Sequence, residues 1–180
     1  YVVVQSPTWC WEFDTVLQSW HERQSHLLSY WRGRAPFNAF GKWYCGATSS
    51  NALLEISPTT HDEVGYPLRM RIETGPLGGF PNVLRINGIE LYLTKGVGIA
   101  TGTDPVQTDP DVEISISRDG GITWSAGRLV KAGRQSVGNL RARSAIWGQA
   151  DVQGVRWRFD ESSNVPYGLM GADMQADTLR

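Results

Sequence analysis

Acidic side chains are concentrated between residues 104 and 113, where the chain carries Asp104, Asp109, Asp111 and Glu113. Carboxylate oxygens are the ligands that calcium prefers in proteins, so this stretch is the first candidate for chemistry. Its spacing does not fit the EF-hand pattern, so a solvated loop is the favoured interpretation of the same residues. We assign no metal ligand, and leave open whether this loop binds calcium.

The other residue types that support catalysis are scattered. His21, His26 and His61 are isolated, and no His or Cys lies at metal-ligand spacing. The sequence contains no G-x-S-x-G elbow, Walker loop or dinucleotide fingerprint. Cys10 and Cys45 lie among aromatic residues in strand-like segments, where a free cysteine packs as a small apolar side chain. We therefore predict neither enzymatic activity nor a cofactor.

The most specific motif lies at residues 117–124, with the sequence SRDGGITW. A strand pattern precedes it, since Val112, Ile114 and Ile116 alternate with polar residues. The segment resembles the Asp-box, S-x-D-x-G-x-T-W, and the matching residues are Ser117, Asp119, Gly121, Thr123 and Trp124. In families that carry this motif it is a structural β-hairpin away from the chemistry. We expect a tight turn at Asp119 to Gly121, after which Thr123 and Trp124 resume an extended chain.

The composition favours an all-β protein. Of 180 residues, 20 are Gly, 9 are Pro and 8 are Trp, and many turn formers with many large aromatics suit short strands. No segment has a sustained helical apolar stripe. No apolar run approaches the ~20 residues that a membrane-spanning helix needs.

Residues 1–57 have the pattern of a kelch-like β-propeller. Residues 9–13 and 19–23 predict two strands around an Asp-Thr turn, as in the outer hairpin of a blade, and residues 41–47 and 51–56 predict the inner strands of the next. Fewer than two blades cannot close a ring. We therefore expect the last one to two blades of a propeller whose remainder lies upstream.

Residues 58–180 predict a second domain, an antiparallel β-sandwich, because the segment from Pro58 to Pro67 is polar and rich in turn formers. Residues 83–94 are one extended stretch with Asn87-Gly88 inside it, which predicts either a hairpin or a bulge in a continuous strand. Residues 140–147 and 155–159 are expected to pair. A short strand at residues 166–172 and a frayed terminus complete the domain.

The order of several short segments along the chain carries a family resemblance. They are Ser19–Arg23, Trp31–Arg34, the strand around Trp43 and Tyr44, Leu91–Gly98, the Asp-box, a basic stretch with Gly138, Arg141, Arg143, Trp147 and Gly148, then Arg156–Phe159, Pro166 and Gly171–Ala172. Together they resemble the packaged-DNA stabilisation (tail accessory) proteins of short-tailed bacteriophages and related prophages. Members of this family usually run the strand before Gly-Val-Gly without a break, which favours the bulge at Asn87-Gly88.

The resemblance implies a structural virion component of the neck or tail, assembled in the host cytoplasm. Several copies would form a ring below the portal, contact portal and other tail proteins, extend the tail tube and retain packaged DNA. Because Arg and Trp dominate many interfaces, the candidate subunit contacts are Arg141, Arg143, Trp147, Arg156 and Arg158. The alternative for these five residues is ordinary sandwich packing with exposed arginines.

Two other functions fit parts of the sequence. The Asp-box and the propeller pattern also suit a carbohydrate-binding or sugar-processing protein, such as a tail-associated adhesin or a sialidase-like enzyme. Between Arg118 and Arg158 there are eight basic residues and two acidic ones, which favours an anionic partner and permits non-specific contact with packaged DNA. A dedicated nucleic-acid module is less favoured, because the pI is near 6.3 and stacking aromatics are not interleaved with the basic residues.

Overall fold

The chain forms antiparallel strands arranged in two compact units, unit 1 (Tyr1–Leu68) and unit 2 (Arg69–Arg180). The computed structural model describes residues 2–101 and 104–179. Over these residues the only helix is the single turn α1 (Pro105–Thr108). The prediction of an all-β protein is thus confirmed, and the sheets are open rather than closed into barrels. Residues 58–68 group with unit 1, whereas the sequence places the domain boundary before them.

Unit 1 contains two three-stranded sheets and a small ribbon. The first sheet has the order β1 (Val2–Gln5), β2 (Cys10–Asp14), β3 (Ser19–Glu22), and the second has the order β4 (Gly33–Ala39), β5 (Lys42–Ala47), β6 (Leu53–Ile56). The ribbon pairs β7 (Asp62–Glu63) with β8 (Tyr66–Pro67).

Within the two three-stranded sheets of unit 1, the sequence pattern did not predict strand β4, and Pro36 explains why. Proline inside a run argues against a strand, except at an edge or a bulge. Both exceptions apply here: β4 is an edge strand, and its register with β5 shifts between Arg34 and Phe37. Ala35 takes a positive φ of 49° in that irregular segment.

A small core holds unit 1 together. Its buried members are Cys10 from β2, Cys45 from β5 and Trp31 from the connection before β4, with Val3 and Leu54 packed against them. The inner faces of the two sheets therefore meet around two free cysteines and one indole. Burial raises the pKa of both thiols, as expected for cysteines that act as apolar packing residues.

Unit 2 contains two larger antiparallel sheets. Its strands are β9 (Met70–Glu73), β10 (Val83–Leu93), β11 (Asp111–Ser117), β12 (Arg128–Lys131), β13 (Ala142–Ala150), β14 (Arg156–Glu161) and β15 (Leu169–Leu179). One sheet has the order β13-β10-β15 and the other β12-β11-β14-β9.

Two expectations about these strands were wrong. The segments that form β13 and β14 were expected to pair with each other, but they lie in different sheets. The C-terminal residues were expected to fray, but they form β15, which pairs with β10 along nearly its whole length. The short polar and small residues of β15 carry little strand signal on their own, so its pairing with an apolar neighbour decides its structure.

The bulge preferred at Asn87-Gly88 is confirmed, and it has a structural purpose. The register of β10 with both neighbours shifts between Ile86 and Gly88. Because side chains alternate along a strand, one extra residue reverses which positions face inward. Leu84 and Ile86 before the bulge and Ile89 and Leu91 after it are all buried. The bulge therefore allows the apolar residues before it and after it to face the same core, although the alternation of apolar and polar residues shifts by one position at Asn87.

Both sheets of unit 2 contribute to one core. Leu91 and Ile89 come from β10, Ile114 from β11, and Trp157 and Phe159 from β14. Each of these side chains is at most 2% exposed. At roughly 25 cal/mol per Å² of apolar surface removed from water, this shared core is the main stabilising feature of the unit.

Candidate functional site

The Asp-box segment forms a loop that Asp119 holds together. The Asp119 carboxylate accepts hydrogen bonds from the backbone N–H groups of Ile122 (3.1 Å) and Thr123 (2.9 Å) and from the Thr123 hydroxyl (2.5 Å). It also accepts a bond from the Ser117 hydroxyl (2.7 Å), and Ser117 Oγ accepts one from the Gly121 N–H (2.8 Å). The side chains of Ser117, Asp119 and Thr123 thus each have a hydrogen-bond partner within the loop.

These hydrogen bonds lower the pKa of the Asp119 carboxyl group. Hydrogen bonds from Thr123, through its hydroxyl and its N–H, and from Ser117 stabilise the ionised carboxylate and hold the pKa of Asp119 well below its usual range. Gly121 is suited to its position because its φ is +102°, a conformation that side chains with a Cβ disfavour. The pattern read from the sequence therefore corresponds to a self-contained structural loop.

The extended chain resumes later than expected. Strand β12 begins at Arg128, so Thr123 and Trp124 belong to the loop. Trp124 is half-buried, and its ring lies 3.8 Å from the guanidinium carbon of Arg158 on β14. Planar stacking of this kind combines cation–π attraction with coverage of the arginine stem. The indole of the motif therefore packs on the outer face of the sheet β12-β11-β14-β9, away from the shared core.

Arg156 and Arg158 lie on that same outer face. The Arg156 guanidinium donates to the carbonyl oxygens of Thr74 (2.9 Å) and Gly120 (3.0 Å), which ties β14 to the Asp-box loop. Arg158 donates to Glu73 of β9 at 2.8 Å. Both arginines are thus held in place by neighbours on their own sheet.

The same sheet carries a denser ion cluster at its edge. Asp160 on β14 accepts hydrogen bonds from Arg69 (2.8 Å) and from Arg71 (2.8 and 3.1 Å). Burial by itself would raise the pKa of Asp160, but the bonds from Arg71 and then Arg69 outweigh it and lower the pKa. Sequence reasoning missed this cluster, because partners about ninety positions apart leave no local signal.

Arg141 and Arg143 lie on the outer face of the other sheet. Arg141 makes a bidentate pair with Glu90 of β10 (3.0 and 2.5 Å), and hydrogen bonding from Arg141 lowers the pKa of Glu90. Arg143 donates to Gln175 of β15 at 2.7 Å. Because the two sheets share one core, the pair Arg141 and Arg143 is on the opposite side of unit 2 from Arg156 and Arg158.

Trp147 lies on neither outer sheet face of unit 2. It is 4% exposed, and its ring packs edge-on against Trp157 with centroids 5.0 Å apart and an interplanar angle of 88°. This geometry is a favourable aromatic packing arrangement inside a core. The five candidate interface residues are therefore not one patch: two arginines lie on each outer face, and the tryptophan is a core residue.

Arg128 and Arg118 were not singled out from the sequence, yet both bridge the two sheets. Arg128 stacks over the Trp147 ring at 4.1 Å and donates to the carbonyl oxygens of Ala145 and Ile146. Arg118 donates to the carbonyl oxygens of Trp147 and Gln149. Arg118 lies within the Asp-box segment and Arg128 lies shortly after its end, and that position was the available signal.

The acidic stretch is divided among different partners. Asp104 caps α1 by accepting from the Val106 N–H at 2.9 Å, while Asp111 pairs with Lys131 at 2.9 Å. Asp109 lies 3.6 Å from Arg134. Within residues 2–101 and 104–179, no group of three or more His, Cys, Asp or Glu side chains is placed to hold a metal ion.

Unit 1 exposes apolar side chains on the outer faces of its sheets. Val4 and Trp11 are cross-strand partners, as are Phe13 and Trp20, and all four side chains lie on one face of the sheet β1-β2-β3. Trp11 is 42% exposed and Trp20 is 53% exposed. We call this surface the outer aromatic face of unit 1. Of the three histidines, His26 stacks on Tyr66 with ring centroids 5.4 Å apart.

Comparisons with known proteins give no assignment. Neither the scan against protein-family models nor the search of curated proteins found a significant match to this chain. In the described part of the chain, no helix has the length and apolar character required to cross a bilayer.

Proposed function

We propose that this protein is a structural component of a bacteriophage neck or tail that attaches below the portal as a ring, extends the tail tube and helps retain packaged DNA. The single observation that carries the proposal is the placement of two arginine pairs on opposite outer faces of one rigid core. The order of segments described above, which resembles tail accessory proteins, supplies the context.

A ring of identical subunits needs two different contact surfaces on each copy, because a head-to-tail interface joins one surface to another that differs from it. Arg141 and Arg143 on one sheet and Arg156 and Arg158 on the other provide such a pair of surfaces. Each arginine except Arg143 has an acidic or backbone carbonyl partner that fixes its side chain, and Arg143 is fixed by Gln175. Prepositioned side chains lose less entropy when a neighbouring subunit binds.

We further propose that unit 2 is a β-sandwich and that unit 1 belongs to the last blades of a kelch-like propeller. Two sheets of unit 2 facing each other across one core support the first assignment. For unit 1, two three-stranded sheets stack through Cys10, Cys45 and Trp31 and leave apolar outer faces. Successive blades of a propeller cover such faces.

The test is the assembly state of the full-length protein, alone and with a portal ring, by native mass spectrometry and electron microscopy. We expect ring-shaped oligomers or a complex with portal. Arg143→Glu and Arg158→Glu should each prevent ring closure, whereas Arg34→Glu, an exposed arginine in unit 1, serves as the control with the same charge change.

Mixing the two variants sharpens the test. Each retains one intact surface, so an equimolar mixture should form pairs but no closed rings. A full-length protein that stays monomeric and does not bind a portal ring would contradict the proposal. Specific binding to a glycan on an array would favour the carbohydrate-binding alternative.

A further inference from the structure

The two edge strands of the sheet β13-β10-β15 differ in how far side chains and irregular backbone block their outward-facing backbone groups. On the β13 edge, Arg128 and Arg118 donate to four carbonyl oxygens, those of Ala145, Ile146, Trp147 and Gln149. The strand is also irregular there, with positive φ values of 59° at Ile146 and 82° at Gly148. Side-chain capping and irregular backbone both prevent another strand from adding to an edge.

The β15 edge has no such side-chain capping, and the irregularity within β15 itself lies near its start, where the register with β10 shifts at Met170. Strand β15 is 11 residues long, and no strand lies beyond it in the part of the chain that the structure describes. It contains no Pro, Lys or Arg, the residues with which proteins commonly block an exposed edge. In an antiparallel pair, about half of the N–H and C=O groups of an edge strand point away from its partner. This edge is therefore available for main-chain pairing.

Side chains on β15 indicate what would pair with it. On the core-facing side, Met174 packs against the core, but Ala172 and Ala176, which lie opposite Leu91 and Ile86, remain exposed. The core therefore covers this strand only in part. An added strand with apolar residues at alternate positions would extend the core over them.

The opposite side of β15 is acidic. Asp173 lies directly across from Glu90, which pairs with Arg141, and Asp177 lies across from Arg85 and accepts a hydrogen bond from Asn87. On the side of β15 away from β10, a cation on an added strand would lie next to Asp173 and Asp177, and opposite charges on neighbouring strands attract. Antiparallel pairing of two copies centred on Gln175 would instead set Asp173 of each copy against Asp177 of the other, which disfavours self-pairing.

We propose that β15 is a β-augmentation site for an extended segment of a partner protein in which apolar residues alternate with Lys or Arg. Main-chain hydrogen bonds along the edge would supply affinity, as in other strand-addition complexes. The apolar side chains would extend the core next to β10, and the basic side chains would face Asp173 and Asp177.

The probe is a peptide as long as β15, 11 residues, in which valine and lysine alternate. Two N-methylated versions of this peptide carry the methyl groups at the valines only or at the lysines only. Successive N–H groups point to opposite edges of a strand, so each version blocks one edge. We expect the unmodified peptide and one N-methylated version to bind, measured by fluorescence anisotropy, and the other version to lose binding. Amide hydrogen exchange should slow within β15.

Charge is tested on the protein. The double substitution Asp173→Asn with Asp177→Asn should weaken binding roughly fivefold, the size expected for two exposed cross-strand ion pairs. The control, Glu22→Gln with Glu55→Gln, removes the same charge from exposed positions in unit 1 and should leave affinity unchanged.

The proposal is overturned if the unmodified peptide does not bind or if both N-methylated peptides bind equally. It is also overturned if amide hydrogen exchange slows elsewhere in the chain instead of in β15. Equal weakening by the two double substitutions would show that only net charge matters. A chain that dimerises through β15 without peptide, seen by analytical ultracentrifugation, would overturn the choice of occupant.

Discussion

Unit 1 and unit 2 are built from the same kind of antiparallel strand but bury their apolar residues very differently. In unit 2, both large sheets contribute to one core, and Trp157 is 1% exposed. In unit 1, the buried cluster consists of Cys10, Trp31 and Cys45, while Trp11 and Trp20 remain on an exposed sheet face. Large exposed apolar patches mark surfaces that other protein covers. The difference indicates that unit 2 has a self-contained core, whereas unit 1 keeps large apolar side chains on a sheet face that its own described residues do not cover.

The largest expected effect comes from inserting one glycine after Asn87. A residue beyond the one that the bulge of β10 accommodates would turn Leu84 and Ile86 to the opposite face from Ile89. At about 2 kcal/mol for each buried side chain that becomes exposed, the loss is about 4 kcal/mol, a large part of the ~5–15 kcal/mol that stabilises a domain. Hydrogen exchange should show loss of protection throughout unit 2. Asn87→Gly, which retains the bulge, is the control, and equal protection in both variants would contradict this account.

A pair of tryptophan substitutions compares the units directly. Trp157→Ala should lower the free energy of unfolding by about 4 kcal/mol, the usual cost of truncating a buried aromatic. Trp11→Ala, on the outer aromatic face of unit 1, should change it by less than about 0.5 kcal/mol, because the site is exposed. Urea denaturation followed by circular dichroism measures both. Similar losses would show that the exposed face is already stabilising in this chain.

Next in size is the ion cluster at Asp160. Asp160→Asn keeps the volume but removes the charge that Arg69 and Arg71 share. We expect unit 2 to lose about 2 kcal/mol, in the range for hydrogen bonds to a charged group. Glu55→Gln, which breaks the exposed pair with Lys42 in unit 1, should cost less than about 1 kcal/mol. An effect of Glu55→Gln that matched that of Asp160→Asn would remove the distinction between the units.

The smallest effect is the pH dependence of the Asp-box loop. The pKa of Asp119 is lowered in the folded chain, so its contribution to stability is present above the ordinary Asp pKa of about 3.9 and is lost as pH falls below that value toward the folded pKa. Asp160 and Glu90 act in the same direction. Thermal melts from pH 6 to pH 2, compared with those of Asp119→Asn, should show a shallower acid decline for the variant. Identical pH profiles would contradict the assignment.

The sequence predicted local features better than pairing. Alternation around Ile114 and the Asp-box residues was enough to locate a hairpin, because its hydrogen bonds join residues within a few positions of one another. The part of β15 that follows Ala172 was missed because Asp173, Ala176 and Asp177 have weak strand preference, and pairing with β10 decides their conformation. The split of the candidate arginines between two faces depends on which sheet contains β13 and which contains β14. Local alternation does not specify that choice.

The sealed β13 edge also limits how large an assembly can grow by strand addition. A sheet that is open along both sides can lengthen without end, which is how fibrils form. Here Arg118 and Arg128 occupy carbonyls on one side, so the sheet β13-β10-β15 has one edge left for an incoming strand. Strand addition to this sheet would therefore end after one strand.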